Sequence, residues 1–570
     1  MSQEFFIGTL ARGRRREVDT STLETLHQLG STIGRLFSFA DATSLRYHDS
    51  ADGSELSSLE AVTSCGAPVE VRASNDAPVR PPPGPEGLPL IYPDPLGNYD
   101  RLFARYGPVV KTTNMGTTTY HTNDPDVARH VLREGDLFTK TTSDPSHPLF
   151  YMQLQSSLFT CDSDSPAFAV AHRFIPPALS PRAVAHHLPL VQESARSIFP
   201  VLDRLADSGS AFNVYHYMFK MAGQIVWRVV VGQDLEHFKT PSTPPAPTIR
   251  LFGEFLSLMK KTSLRPKWYG RLPFGDPARL RVVQQMLWDD VERAVTESTA
   301  TGGEEALLPL SDPTSALRAS SVAEFLSRAR DGGGQGLPRD ILIPNVVVLL
   351  GAGFTTSASL LSWALYSLVT YPGNNQERLL QELVDHGGGG GGGGGGGYGA
   401  GGGGRAWTYD EVHALTFLDC FVKETQKVHS PSFQTARNAR RDVVLPGGYL
   451  VPAGSVVIPC FPSLHKNPAH WDNPARFDPD RWAAEDGAAP PAKKGSYTPF
   501  AAGRRGCVGL NLALLEVKMV LIQLVYHYRF EDSSPEPVVY DPDFLVTRPV
   551  NFYASATRRT GWPSPSRRSG

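Results

Sequence analysis

Between Ile341 and Tyr371 the chain runs ILIPNVVVLLGAGFTTSASLLSWALYSLVTY without one charged side chain. No other stretch restricts the fold so strongly. By hydropathy it is long enough to cross a membrane as a helix. By its interior it is less uniform. Pro344 and Asn345 interrupt it near the start, and Thr355, Thr356 and Ser357 make its centre polar. A long helix buried in a protein core, with a functional polar break, fits the same description. The rest of the sequence must separate the two readings. Hydrophobic residues make up 41 % of the 570 residues and charged residues 20 %. That supports a sizeable core and excludes wholesale disorder. A net charge of −2 lacks the basic excess of a nucleic-acid binder. Cys65, Cys161, Cys420, Cys460 and Cys507 are widely spaced, with no CxxC pair. They form neither a disulfide framework nor a zinc ribbon and fit a reducing compartment. The start, MSQEFFIGTLARGRRREVD, has no signal-peptide core and no apolar run of ~20 residues, so the expectation is a protein that is not secreted.

Residues 1–79 show weak apolar periodicity and are expected to be a partly ordered N-terminal extension of unknown role. RPPPGPEGLP, from Arg80 to Pro89, is stiff and extended and marks a boundary. Beyond it, short strands mix with many amphipathic helices. Asn123–Glu134 and Val191–Leu205 carry helical apolar spacing, and PSTPPAP at 241–247 is a loop. Positions 387–404 are almost pure glycine, which cannot build a core, and are expected to be a disordered loop. Thr408 and Glu411 then form a capping box that opens a new helix. The last residues, 561–570, are a polar tail.

Chemistry concentrates in FAAGRRGCVG, Phe500 to Gly509. Cys507 lies among glycines and arginines, just before a run from Leu510 to Tyr526 with helical periodicity. The dipole and free amides of a helix start favour a thiolate. Glycines let a bulky flat partner approach the backbone. Two readings stay open on these residues alone: a small buried hydrophobe, and a low-pKa nucleophile in need of a partner histidine that is not local. The segment Phe-x-x-Gly-x-Arg-x-Cys-x-Gly, at Phe500, Gly503, Arg505, Cys507 and Gly509, resembles the haem-binding signature of the cytochrome P-450 family. Leu512, Ala513 and Glu516 are similar to its continuation. The resemblance implies that Cys507 is the axial thiolate of a haem b, that Arg505 pairs with a propionate and that Phe500 shields the sulfur.

Other segments resemble the family in its own order, from roughly Arg80 to Thr560. Ala352 to Ser357 is similar to the oxygen-activation motif of the long central helix, which turns the Ile341–Tyr371 question towards a buried helix. Thr356 matches the threonine that hydrogen-bonds dioxygen, while Thr355 stands where an acid is usual. Ala352 and Gly353 would leave room above the haem, and Phe159 and Phe433 would join them in lining the substrate pocket. Glu424 and Lys427 sit where Glu-x-x-Arg is usual, with Arg476 expected to complete the network. A lysine there offers a point charge in place of a bidentate fork. Arg437 matches a strand arginine that binds a propionate, and His172 or Arg173 would also reach one. Phe168 replaces the usual tryptophan of that helix. The distal segments are similar to soluble fatty-acid hydroxylases fused to a reductase, and fungal members fit equally.

The resemblance implies a mainly α fold with a smaller β region, in one domain over 80–560. It implies a monooxygenase that uses O2, a small lipophilic substrate and a separate NADPH-dependent flavin reductase. Nucleic acid is not expected. The protein is expected in the cytoplasm or peripherally on the endoplasmic reticulum, without a transmembrane anchor. Two alternatives remain: a haem-thiolate isomerase, dehydratase or small-oxidant reductase, and a non-catalytic haem protein.

Overall fold

A computed structural model describes residues 2–9, 13–85, 91, 94–114, 116–300, 307–387, 406–432, 435–483 and 493–566. The glycine-rich stretch lies outside these residues apart from Gly387. The chain forms two compact units. The first comprises 1–148, 434–467 and 493–506, and the second comprises 149–433, 468–492 and 507–570.

The first unit opens with a folded module, so the expectation of a partly ordered tail is corrected. Strands β1 (Ser2–Ile7), β2 (Arg14–Asp19), β3 (Arg46–Asp49) and β4 (Val69–Arg72) form a mixed sheet in the order β2-β1-β4-β3. Strand β1 runs antiparallel to β2 and parallel to β4. Alternation sends Phe5, Ile7, Val69 and Val71 to one face. Helix α1 (Leu26–Phe37) covers that face with Leu29, Ile33 and Phe37, one helical stripe. A capping box of Thr25 and Gln28 starts α1, and Ser38 in the left-handed region ends it. Gly34 is required by packing, because a Cβ there would lie 2.3 Å from the Ala42 Cβ. Val444, from the hairpin Val443–Val451, completes this core. Its amide donates to Ser38 O at 3.0 Å, and Ala40 N donates to its carbonyl at 2.8 Å.

A second sheet of this unit contains β5 (Val109–Asn114), β6 (Thr117–Thr122) and β7 (Phe138–Thr139), with the strands Arg437–Ala439 and Val456–Pro459. The helix expected over Asn123–Glu134 runs Pro125–Leu132, capped by Asp124. The sheet presents Arg437 from its interior, and the turn Gly503–Arg505 presents Arg505.

The second unit is helical. Its core is the helix Arg339–Thr370, packed along Val214–Val231 and against Leu510–His527. It is apolar on all sides and buried on nearly all of them, which makes it a core helix. Pro344 lies within it, and Asn345 one residue on donates its Nδ2 to Ile341 O at 2.7 Å. The span expected as one helix over Val191–Leu205 is two, Leu188–Arg196 and Phe199–Asp207. The capping box of Thr408 and Glu411 is present. Part of the terminal segment is docked, with Trp562 Nε1 donating to Tyr526 O at 3.0 Å.

Candidate active site

In the first unit, the side chain of Arg437 is fully buried. Its Nη1 donates to Ala436 O at 2.8 Å and to Thr435 Oγ1 at 3.1 Å. Its Nε lies 3.1 Å from Glu134 Oε1, and Arg505 Nε lies 3.5 Å from the same oxygen. Arg437 Nη2 is buried with no hydrogen-bond partner among the described residues. Burial pulls its guanidinium down to about 10, Glu134 opposes the shift, and Arg505 adds to it. A buried donor left unmade costs about 1–3 kcal/mol, so Nη2 suits an anion that the protein itself does not provide. The turn that carries Arg505 needs Gly503, whose φ is +74° and whose Cβ would crowd Leu132 O at 3.0 Å. Phe500 is half-buried on the same loop.

In the second unit, Cys507 precedes the helix Leu510–His527, with Gly509 as its N-cap. Its side chain is exposed. Burial nonetheless raises its thiol, against the amides of Gly509 and Leu510, which lower it. The residue is exposed although protein crowds its thiol. For ligation the accessibility decides, because a metal must reach Sγ. A Cβ at Gly509 would stand 3.8 Å from the sulfur, an ordinary contact.

The central helix is open over one short face. Ala352 is exposed and Thr356 half-exposed, one turn apart. Thr356 Oγ1 donates to Ala352 O at 2.8 Å. Thr355 points elsewhere: it is buried and donates to Gly351 O at 2.7 Å. The structure therefore does not bring Thr355 to the face of Thr356. Gly353 faces a neighbouring helix. A Cβ there would lie 3.0 Å from Val226 Cγ1, so this glycine admits a neighbouring helix rather than a substrate. Glu516 is fully buried, and burial pushes its carboxyl well above the ordinary carboxylate range, against a small lowering by Ser357.

Phe159 is 41 % exposed, unusual for so large an apolar ring. Sequence reading noted Asn345 only as a break in hydropathy. Its Oδ1 accepts from Leu158 N at 2.8 Å and its Nδ2 donates to Ser156 O at 3.3 Å, which anchors the segment carrying Phe159. An amide beside a helical proline was the available signal. Phe433 lies outside the described residues. His172 is exposed with its ring 5.4 Å from buried Phe168. Arg173 is held by Asp331 at 2.5 Å, so its guanidinium already has an anion.

The Glu424 network departs from expectation in one member. Arg476 is 71 % exposed and only approaches Asp478. Arg481 takes the inner place, with Nε 3.1 Å from Glu424 Oε1 and 3.0 Å from Oε2. Trp482 Nε1 donates to Oε2 at 2.8 Å and Asp478 N to Oε1 at 3.0 Å. Lys427 Nζ is fully buried, 3.7 Å from Oε1, donates to Pro474 O at 2.9 Å and lies over the Trp471 ring.

Comparison with known proteins agrees with these features. A family model described as cytochrome P-450 matches residues 82–555. The cytochrome P-450 monooxygenase alnD of Emericella nidulans is 45 % identical over 572 residues, covering 99 % of both chains. Thromboxane-A synthase of Rattus norvegicus is 27 % identical, covering 64 % of this chain and 69 % of the relative. The solved cytochrome P450DA heme domain superposes with a TM-score of 0.71 at 21 % identity, over 84 % of this chain and 98 % of that one. The chain belongs to the cytochrome P-450 family. It is an oxygen-incorporating oxidoreductase, a monooxygenase whose cofactor is a haem and which draws on O2 and a redox partner.

Proposed function

We propose that this chain inserts one oxygen atom of O2 into a lipophilic small molecule, fatty-acid-like or a secondary metabolite, at a haem b. Electrons come from a separate NADPH-dependent flavin reductase. The observation that carries the reading is an accessible Cys507 at a helix start, on a chain whose central helix exposes Ala352 and half-exposes Thr356 in its middle. The residues fit the group: Arg437 keeps a buried Nη2 for an anion such as a propionate. When bound, the haem supplies the iron at which O2 is activated. Cys507 Sγ is its ligand, with the Gly509 and Leu510 amides turned to the sulfur. Arg437 and Arg505 hold the propionates. Ala352 leaves space on the open face, and the Thr356 hydroxyl holds or passes a proton there. The monooxygenase domain is 80–560, preceded by the folded module in 1–79. The protein works in the cytoplasm or at the face of the endoplasmic reticulum.

A carbon-monoxide difference spectrum tests the ligand. Reduced wild type is expected to show the long-wavelength Soret band of thiolate ligation, and Cys507→Ala to lose it. Persistence of the band in that variant overturns the assignment. Thr356→Ala is expected to divert NADPH and O2 to peroxide, read as peroxide formed per NADPH.

A further inference from the structure

The N-terminal sheet, in the order β2-β1-β4-β3, has two edges of different kinds. At β3 the outer side is occupied. Leu56 N donates to Tyr47 O at 2.7 Å, Asp49 N donates to Ser54 O at 2.9 Å, and His48 bridges to Glu55. At the other side, among the described residues, β2 is the last strand. A strand edge offers a row of amides and carbonyls to any second strand, and proteins guard such edges with proline, a bulge or repelling charge. Strand β2 has neither proline nor bulge: it reads RRREVD and pairs with β1 residue for residue. Its charge is divided, basic in the first half and acidic in the second.

Such a strand is complementary to its own reverse. When two copies are laid antiparallel about a two-fold axis normal to the sheet, residues directly opposite each other point to the same face. With Arg16 of both copies at the axis, Arg15 of each stands opposite Glu17 of the other, and Arg14 opposite Val18. Parallel pairing in register would set arginine against arginine instead. Glu17 is a second, independent observation. Within the sheet it lies directly opposite Glu4, two acids on one face, an arrangement that destabilises. Glu4 has Arg15 of its own chain at 3.2 Å, whereas exposed Glu17 has no ion pair among the described residues.

We propose that two copies of this chain associate through β2, the edge of each sheet continuing that of the other about a two-fold axis. Arg15 then lies between Glu4 of its own sheet and Glu17 of the second copy. The contact is isologous, so it closes at two copies and does not run on into a fibre. The far edge cannot extend it, because residues 54–56 already occupy the outer side of β3. Six paired residues make a small interface, so the dimer is expected at micromolar rather than nanomolar protein. The inference stands apart from the haem chemistry and from the nature of the substrate.

Sedimentation equilibrium of the full-length holoprotein, from about 1 to about 100 µM, tests it. Wild type is expected to be a monomer–dimer system that weakens as salt rises, because the ion pairs are exposed. Arg15→Glu sets acid against acid at both ends of the paired strands, and Glu17→Arg sets base against base. Each variant alone is expected to dimerise at least about tenfold more weakly. Mixed in equal amounts, the two restore both pairs, and a mixed dimer about as tight as the wild-type one is expected. Unfolding cannot produce that complementation. Glu17→Arg also removes the facing acids within its own sheet, so it keeps the test valid if Arg15→Glu fails to fold. A wild type that stays monomeric across the range overturns the proposal. So does a dimer that a folded Glu17→Arg variant leaves unchanged, and so does a mixture of folded variants that associates no better than either alone. Assembly of wild type beyond two copies overturns it as well.

Discussion

Two buried ionic clusters, one in each unit, are built on opposite principles. Around Glu424 both carboxylate oxygens are engaged, by Arg481, Trp482 and the Asp478 amide, and Lys427 has the Pro474 carbonyl as well. Around Glu134 two arginines approach one oxygen, and Arg437 keeps a buried Nη2 with no hydrogen-bond partner among the described residues. The first cluster is closed and serves the fold. The second leaves a buried donor open. A buried charge therefore has no fixed meaning; what matters is whether its hydrogen bonds are already made.

The contrast breaks most visibly at Glu424. Glu424→Ala would leave Arg481 and Lys427 buried without their carboxylate, a loss of about 3–5 kcal/mol, read as failure to fold or a steep fall in urea midpoint. At Arg437 the signs should separate. Arg437→Met is expected to weaken haem retention by about 1.5–3 kcal/mol, the worth of a hydrogen bond to a charged group. The apoprotein should lose less stability than with Glu424→Ala, because Arg505 still faces Glu134 and an incompletely satisfied guanidinium has been removed. An apoprotein destabilised as strongly as Glu424→Ala would place Arg437 with Glu424 as a structural charge.

Lys220 sharpens the comparison as a buried cation held by a carbonyl and two rings. It is fully buried, donates to Thr243 O at 2.8 Å and lies between the rings of Tyr217 and Phe238. Burial lowers its ammonium from 10.5 to about 8. Below pH 8 folded and unfolded chains both hold the proton, and burial of the charge is a constant cost. Between about 8 and 10.5 the unfolded chain binds more protons, so stability rises with pH across that window. Lys220→Met is expected to gain on the order of 2 kcal/mol at neutral pH and to flatten the rise, measured by denaturant melts across that pH window. The smallest effect is expected at Lys427. The family pattern alone suggests that arginine would serve better there. With Arg481 already on Glu424 and Nζ buried over Trp471, arginine has no room for its fork. Lys427→Arg is expected to cost about 1 kcal/mol in a thermal melt, an overpacking penalty.

Much of this was legible in the sequence where chemistry demands a fixed spacing. The cysteine loop, the charge-free helix and the capping box of Thr408 and Glu411 are local patterns, and each occurs as read. Direction was not legible. Arg476 and Arg481 both lie close to Asp478 in sequence, and the turn Pro479–Trp482, capped by Asp478, aims Arg481 back at Glu424. Thr355 and Thr356 are adjacent, so a helix sends them to different faces, and sequence alone does not say which face is open. Gly353 proved to serve helix packing because its neighbour, Val226, comes from a distant segment. The N-terminal module escaped for a similar reason. Its central pairing joins β1 to β4 in parallel across most of the module, while the adjacent β2 is rich in arginine and masks the alternation.

Val444 gives that module a history as well as a shape. The sheet β2-β1-β4-β3 is complete in residues 2–72, but part of its apolar floor is a side chain made 372 positions after β4 ends. At about 5–20 residues per second, translation would reach it some 20–70 s later. Through that interval Phe37 and Phe39 lack their final neighbour, and the growing chain carries an unfinished hydrophobic surface at its oldest end. The first sheet to leave the ribosome is therefore among the last parts of the protein to be finished, and a chain broken off before Val444 would carry that surface open to whatever meets it.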